Sequence, residues 1–339
     1  MIFPILSGLI SWRKAPVTWI LFALNLLVWT YTTTIGASSQ KGLEEMMRKK
    51  YFVSTQGRVY AQYLERSPAA AYPEFLHEMG RRSSEGATRA EALGQLAFRD
   101  LTFLRSADTM EYDGDQVAFR LWQKEIQAVR RLQDDHPSFT LGLNGEDTSF
   151  GKWVSYIFVH SGALHFFGNM LFLLIFGAAL EAQTGGLGLL VVFLLSGLTA
   201  AGSFGLMTGV TSSPLVGASG AISGVMALYC VLNWGRPERY FYWLFLPFRG
   251  YMGFIYLPAW VAMLMWILGD LAGYFSSLAE LGGVAYTAHL GGEAAGIVTG
   301  LILYSCRRFW PRPRETRPLD RVPLGTLVPL LPPRPIKAS

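Results

Sequence analysis

Three of the chain's five histidines belong to a small set of polar residues embedded in apolar sequence. His160, His165 and Asn169 open one apolar run, Gly217-Ala218-Ser219-Gly220 opens another, and His289 and Glu293 stand within a third. Polar side chains inside membrane spans are costly and functional by default. A serine hydroxyl is a weak nucleophile until a base takes its proton, and histidine suits that role because it titrates near neutrality. Ser219 and His289 therefore read as nucleophile and general base. A tetrahedral intermediate would need hydrogen-bond donors for its oxyanion. Asn169 offers an amide NH₂, His165 a ring N–H, and Ser219 its own backbone N–H at a helix start, where the first amides lack partners.

These residues can meet only if the elements that carry them are arranged to allow it. Hydrophobic residues make up 51% of the 339 and charged residues 16%, below the roughly 25% charge of soluble domains. A membrane span needs about 20 mostly apolar residues, and six runs qualify: Val17 to about Ile35, Leu164 to Leu180, Leu187 to Met207, Gly217 to Asn233, Ile255 to Ser276 and Tyr286 to Cys306. Arg13 and Lys14 precede the first run. Arg236, Arg239 and Arg249 lie between the fourth and fifth. Arg307, Arg308, Arg312, Arg314, Arg317, Arg321, Arg334 and Lys337 follow the sixth. Outside residues 37–150, six spans with the N-terminus inside put all of these in the cytoplasm and leave only Lys152 outside, as the positive-inside rule requires. The net charge of +5 thus reads as membrane topology and not as a nucleic-acid surface. A cleaved signal peptide over residues 13–39 is the competing reading of the first run.

With that topology, spans two, four and six all enter from outside. His160, His165, Asn169, Ser219 and His289 then lie at one depth, just below the outer surface. On span four, Ser219, Gly220, Ser223 and Gly224 share a face; on span six, His289, Gly292, Glu293, Gly296 and Gly300 do. Small residues let membrane helices approach closely, so two such stripes facing each other would bring the Ser219 hydroxyl to His289.

Between the first two spans lie 17 of the 24 acidic residues. Residues 37–150 read as a soluble, mostly helical insert on the outer side, a long loop that translocates regardless of charge. Lys41–Leu64, Thr88–Leu104 and Asp115–Leu132 have helical periodicity, punctuated by Pro68, Pro73, Gly114 and Pro137. His77 and His136 are isolated. Cys230 and Cys306 build neither a disulfide framework nor a zinc site. The chain divides into residues 1–36 (N-terminal segment and first span), 37–150 (insert), 151–308 (spans two to six) and 309–339, a Pro/Arg-rich cytoplasmic tail expected to be disordered.

The residues resemble a known family. His160-Ser-Gly-Ala-Leu-His165-Phe-Phe-Gly-Asn169-Met is similar to the second-helix signature of rhomboid intramembrane serine proteases, Gly217-Ala218-Ser219-Gly220 to their GxSG motif, and Ala288-His289-Leu-Gly-Gly292 with Gly296 to their AHxxGxxxG helix. Glu181 also fits. The resemblance covers about two-thirds of the chain. It implies an all-α membrane protein, a six-helix bundle around a water-filled cavity open to the outer side, with a helical insert in its first loop. It implies Ser219 and His289 as a dyad with no third acidic member, Asn169 and His165 as oxyanion donors, and His160, Gly217 and Gly220 in support, with Gly224, Gly292 and Gly296 packing helices. The implied substrates are transmembrane proteins cut near the outer surface of the bilayer. The expected setting is a multi-pass membrane protein with cytoplasmic termini, a bacterial inner membrane being favoured, and the insert contacting substrates or adaptors.

The chain departs from the family in three ways. Its insert is larger than the usual first loop. Lys152-Trp153 stands where a Trp-Arg pair is common. Ser223 occupies a position that is often aromatic, and Glu293 one that is usually apolar. A Ser223–Glu293 hydrogen bond beneath the dyad would link the last two changes; a protonated Glu293 bonded to backbone, or a Glu293 touching His289, are the alternatives. Two other functions compete: a catalytically silent rhomboid-like binding protein, and a transporter, for which Asp270 and Glu293 are the charged candidates. No His-Glu-x-x-His helix and no Gly-x-Ser-x-Gly elbow is present.

Overall fold

A computed structural model of the chain describes residues 2–4, 12–68, 74–82, 86–144, 149–208, 214–243, 252–277, 285–306 and 322–329. After a short strand β1 (Ile2–Pro4) comes helix α1 (Pro16–Arg48). Pro16 opens it at a position where the missing N–H costs nothing. The next two amides are capped from across the fold. Glu181 Oε1 accepts from the Val17 N–H at 2.9 Å, and Oε2 accepts from the Thr18 N–H and hydroxyl, each at 2.7 Å. A carboxylate here satisfies orphan donors and meets the positive end of the helix dipole.

Helix α1 does not end near residue 36 but continues into the insert, where Gly36 lets it pack on Pro137: a Cβ at Gly36 would stand 2.9 Å from that ring. The insert adds α2 (Lys50–Arg66), α3 (Glu74–Arg82), α4 (Ala87–Ala97), α5 (Leu101–Ser106), α6 (Gln116–Asp134) and α7 (Pro137–Thr140). Phe52, Tyr60, Leu64, Leu93, Phe103, Trp122 and Ile126 form its core. The helix expected over Thr88–Leu104 is two helices. Asp100 breaks it, accepting from the Phe103 N–H at 2.9 Å to cap α5 and from the Tyr60 hydroxyl at 3.0 Å, because a buried aspartate gains more from these donors than from a helix interior.

The second half carries α8 (Lys152–Ser155), α9 (Ala163–Phe172), a π-helical turn at Leu173–Gly177, α10 (Ala178–Thr208) and α11 (Ser219–Leu232). Strands β2 (Pro237–Trp243) and β3 (Met252–Pro258) follow, then α12 (Trp260–Ser277), α13 (Tyr286–Ser305) and β4 (Leu327–Pro329). Among the described residues, Pro16–Arg48 and Ala163–Leu206 are long and apolar enough to cross a membrane; Ser219–Leu232 and Trp260–Ser276 are shorter apolar helices. The backbone of the second stretch leaves helical geometry at Gly185 (φ 73°, ψ 168°), between the runs read as spans two and three.

The protein is not all-α. The four strands form an antiparallel sheet in the order β1-β2-β3-β4. Ile255–Pro258, read as the start of the fifth span, is strand, and α12 starts at Trp260. An apolar run of this length carries no periodicity that separates strand from helix. The alternating burial of β2 turns Glu238 and Tyr240 inward. Tyr240 Oη donates to Pro258 O at 3.0 Å and accepts from the Ala262 N–H at 3.2 Å, seating the start of α12. The tail, expected to be disordered, contributes β4 to the edge of this sheet. Its residues 330–339 lie outside the described residues, as do Arg249, Arg307, Arg308, Arg312, Arg314, Arg317 and Arg321.

Two predictions follow from these anchors. Replacing Glu181 by Ala strands three buried donors and should destabilise the protein by about 3 kcal/mol, with Glu181→Gln losing less; thermal unfolding in detergent, with hydrogen exchange at Val17 and Thr18, reads both. His136 caps α7 by accepting from the Ser138 N–H at 3.1 Å, and burial holds its imidazole below its ordinary value of 6.5. The unfolded chain binds that proton first, so the cap's contribution is complete above 6.5 and falls as the pH drops below it. Exchange at Ser138, corrected for intrinsic rates, should accelerate on acidification in wild type and stay level in His136→Asn, which caps without titrating.

Candidate active site

Helices α11 and α13 cross with backbone against backbone. A Cβ on Gly292 would lie 1.9 Å from Gly220 O, one on Gly296 2.1 Å from Gly224 O, and one on Gly224 2.6 Å from Gly292 O. Nothing larger than glycine fits, and membrane helices pack closest through such residues. Ser219 adjoins Gly220 in the first turn of α11 and is half-buried. His289, one turn before Gly292 on α13, is buried. The crossing thus sets the serine and the histidine at the same level of facing helices.

From the other side, α9 brings His165 and Asn169 to Gly217. This glycine has φ +119°, and a Cβ on it would meet the His165 ring at 2.6 Å and Asn169 Nδ2 at 3.6 Å. The Gly217 N–H is fixed on Tyr156 O at 2.9 Å. Asn169 Nδ2 is buried with no hydrogen-bond partner, an available donor beside the start of α11. His165 Nδ1 lies 3.1 Å from the Ser161 hydroxyl. His160 packs edge-on against His165 (5.1 Å between ring centres) and Phe166 (5.4 Å), and Phe166 stacks on Trp29 of α1 at 4.5 Å. A cleft of about 490 Å³ opens beside this turn, lined by His160, Trp29, Gly36, Glu44 and His136 among others.

Helix α12 supplies what the sequence reading missed. Trp266, Asp270 and Gly273 fall on one face at helical spacing. Trp266 Nε1 donates to the Ser223 hydroxyl at 3.1 Å, and its ring lies 6.1 Å from that of His289. Asp270 Oδ1 lies 2.9 Å from His289 Nδ1, both side chains being buried. Gly273 leaves room for the Tyr286 ring. The partner of Ser223 is therefore Trp266 and not Glu293, and the acidic group touching His289 is Asp270 and not Glu293. A carboxylate thus stands within hydrogen-bond distance of the histidine for which the family resemblance implies no third acidic member. Asp270 was visible in sequence as the lone acid of its span, and Trp266 returns from a neighbouring helix the aromatic ring that Ser223 replaces.

Such a site defines a class: a serine at a helix start, facing a histidine across a glycine crossing, in a bundle of apolar helices. Residues 147–306 match the family model of the Rhomboid domain. It is 28% identical over 171 residues to Rhomboid-related protein 2 of Mus musculus, covering 47% of this chain and 52% of that protein. It is 26% identical over 195 residues to Rhomboid-related protein 3 of Homo sapiens, covering 56% of this chain and 46% of that protein. The chain thus spans about half the length of these relatives.

The crossing carries a prediction. Gly292→Ala must push α11 and α13 apart, since the clash is with backbone; a misplacement of about 1 Å at a reacting centre costs roughly 100-fold in rate. Labelling of Ser219 by a fluorophosphonate should fall by at least that factor while helicity by circular dichroism is kept. Gly205→Ala, on α10 with nothing within 4 Å of its Cβ, should leave labelling unchanged.

Proposed function

We propose that this protein is a rhomboid-type intramembrane serine endopeptidase, with six spans and cytoplasmic termini, that cuts transmembrane proteins near the outer membrane surface. The observation that carries this reading is the convergence of three helices on one point: Ser219 at the start of α11, His289 across the Gly220–Gly292 contact, and the His165 and Asn169 donors against Gly217. Six spans accommodate the break at Gly185 together with α1, α11, α12 and α13.

In this mechanism Ser219 Oγ attacks the scissile carbonyl carbon as its proton passes to His289. The oxyanion is held by Asn169 Nδ2, His165 and the Ser219 amide, donors in place before the charge develops. His289 then gives the proton to the leaving amine as the C–N bond breaks. Water deacylates Ser219 by the same exchange. Asn169's unpartnered amide supports its role, because a buried donor without a partner costs free energy in the resting protein that an oxyanion would return.

Reconstituted wild type should cleave a generic single-span substrate and bind a fluorophosphonate covalently, and Ser219→Ala and His289→Ala should reduce both to background. Folded wild type that neither cleaves nor labels would sink the protease reading and favour a silent, substrate-binding protein.

A further inference from the structure

Asp270 has no part in a two-residue mechanism, yet it is buried in an apolar helix. A carboxyl there is expensive unless it is partnered. Its partner is the base itself, at 2.9 Å from His289 Nδ1. An imidazole held by Nδ1 has only Nε2, on the opposite edge of the ring, left for a serine. A second carboxyl, Glu293, lies one turn further along α13. It is buried and interacts directly with Asp270.

We propose that Asp270 is a positioning residue that completes a Ser219–His289–Asp270 triad within the membrane, its carboxylate orienting the imidazole. The inference rests on the protease reading above. When Ser219 attacks, its proton moves to His289 Nε2. The resulting imidazolium is stabilised by the anion on Nδ1, and Asp270 itself takes no proton. The groups recorded around His289 are Asp270 and the Trp266 ring from α12, His165 from α9, and Tyr286 on its own helix, where Glu293 lies one turn further along. Of these, Asp270 alone is at hydrogen-bond distance among the described contacts. Ser223 is excluded from the role, since its hydroxyl is held by Trp266.

The test uses the full chain in detergent micelles, as wild type and Asp270→Asn. The rate of fluorophosphonate labelling is followed against pH. Asn keeps the shape of Asp but not its charge, so labelling at neutral pH should fall roughly 10²–10⁴-fold. The pH of half-maximal labelling should also move to the acid side, because the imidazolium loses its counter-charge. A purely structural role would lower the rate without moving the profile. Wild type and Asp270→Asn that label alike, with the same profile, would overturn the proposal and leave the Ser–His reading standing. Wild type that never labels would overturn both. Should Asp270→Asn fail to fold, nitrogen NMR of histidine-labelled wild type, with His289→Gln for assignment, decides instead. A neutral His289 protonated on Nδ1 supports the triad, and one protonated on Nε2 overturns it.

Discussion

Where α11 and α13 cross, no side chain separates the two backbones. Gly292 sits on Gly220 O, and Gly296 on Gly224 O. Between helices in lipid there is no hydrophobic gain to spend on association, so contact depends on shape and on polar bonds. That contact governs the site. Ser219 and His289 are each within a turn of a touching glycine, and any residue that widened the crossing would separate them. Helices α9 and α12 then close on the pair from two sides, α9 with polar groups at Gly217 and α12 with an aromatic ring and a carboxyl.

The polar groups beneath the site are satisfied between helices and not within them. Ser223 on α11 is bonded by Trp266 of α12, and His289 on α13 by Asp270 of α12. Lower in the fold, the Tyr229 hydroxyl of α11 donates to Glu238 of β2 at 2.6 Å. A buried polar group without a partner costs several kcal/mol in an apolar medium (about 2–7 by transfer), so each of these bonds also fixes the rotation of one helix against another. Among the buried polar atoms left without a partner is Asn169 Nδ2, beside the start of α11.

How far the sequence could be read follows from the range of the physics involved. The glycine stripes on α11 and α13 were legible because helical spacing alone puts Gly220 and Gly224, or Gly292 and Gly296, on one face. The grouping of His165 and Asn169 near Gly217 followed from chain order and topology. The Asp270–His289 pair did not, because it depends on the rotation of α12, which is set by Tyr240 and the β2–β3 hairpin that seat its first turn. That hairpin was itself hidden: Met252–Pro258 is as apolar as a span, and hydropathy does not distinguish strand from helix. The Ser223–Glu293 pairing failed for the same reason, as it considered two helices where a third supplied the partner. The split at Asp100 in the insert depended on a tertiary bond from Tyr60, which no local pattern announces.

The insert is joined to the site by more than its chain. Leu143 at its end forms a two-bond bridge with Leu215, at 3.1 and 2.7 Å, two residues before Gly217. Lys152 Nζ and Ser155 Oγ donate to Phe139 O and Leu141 O, at 3.1 and 2.6 Å. At its other side the insert continues α1 without a break, and α1 is held at its start by Glu181 of α10. Strain applied to the insert therefore has two rigid routes into the domain, one along a capped helix and one through a backbone bridge to the loop before Ser219. Of these the bridge is the more direct. Gly217 has the positive φ that lets His165 and Asn169 reach it, so a rotation at Leu215 would change the very backbone those two side chains face. The backbone that His165 and Asn169 face is in this way set partly by a segment outside the helix bundle, and the insert belongs to the construction of the site as much as the glycines do.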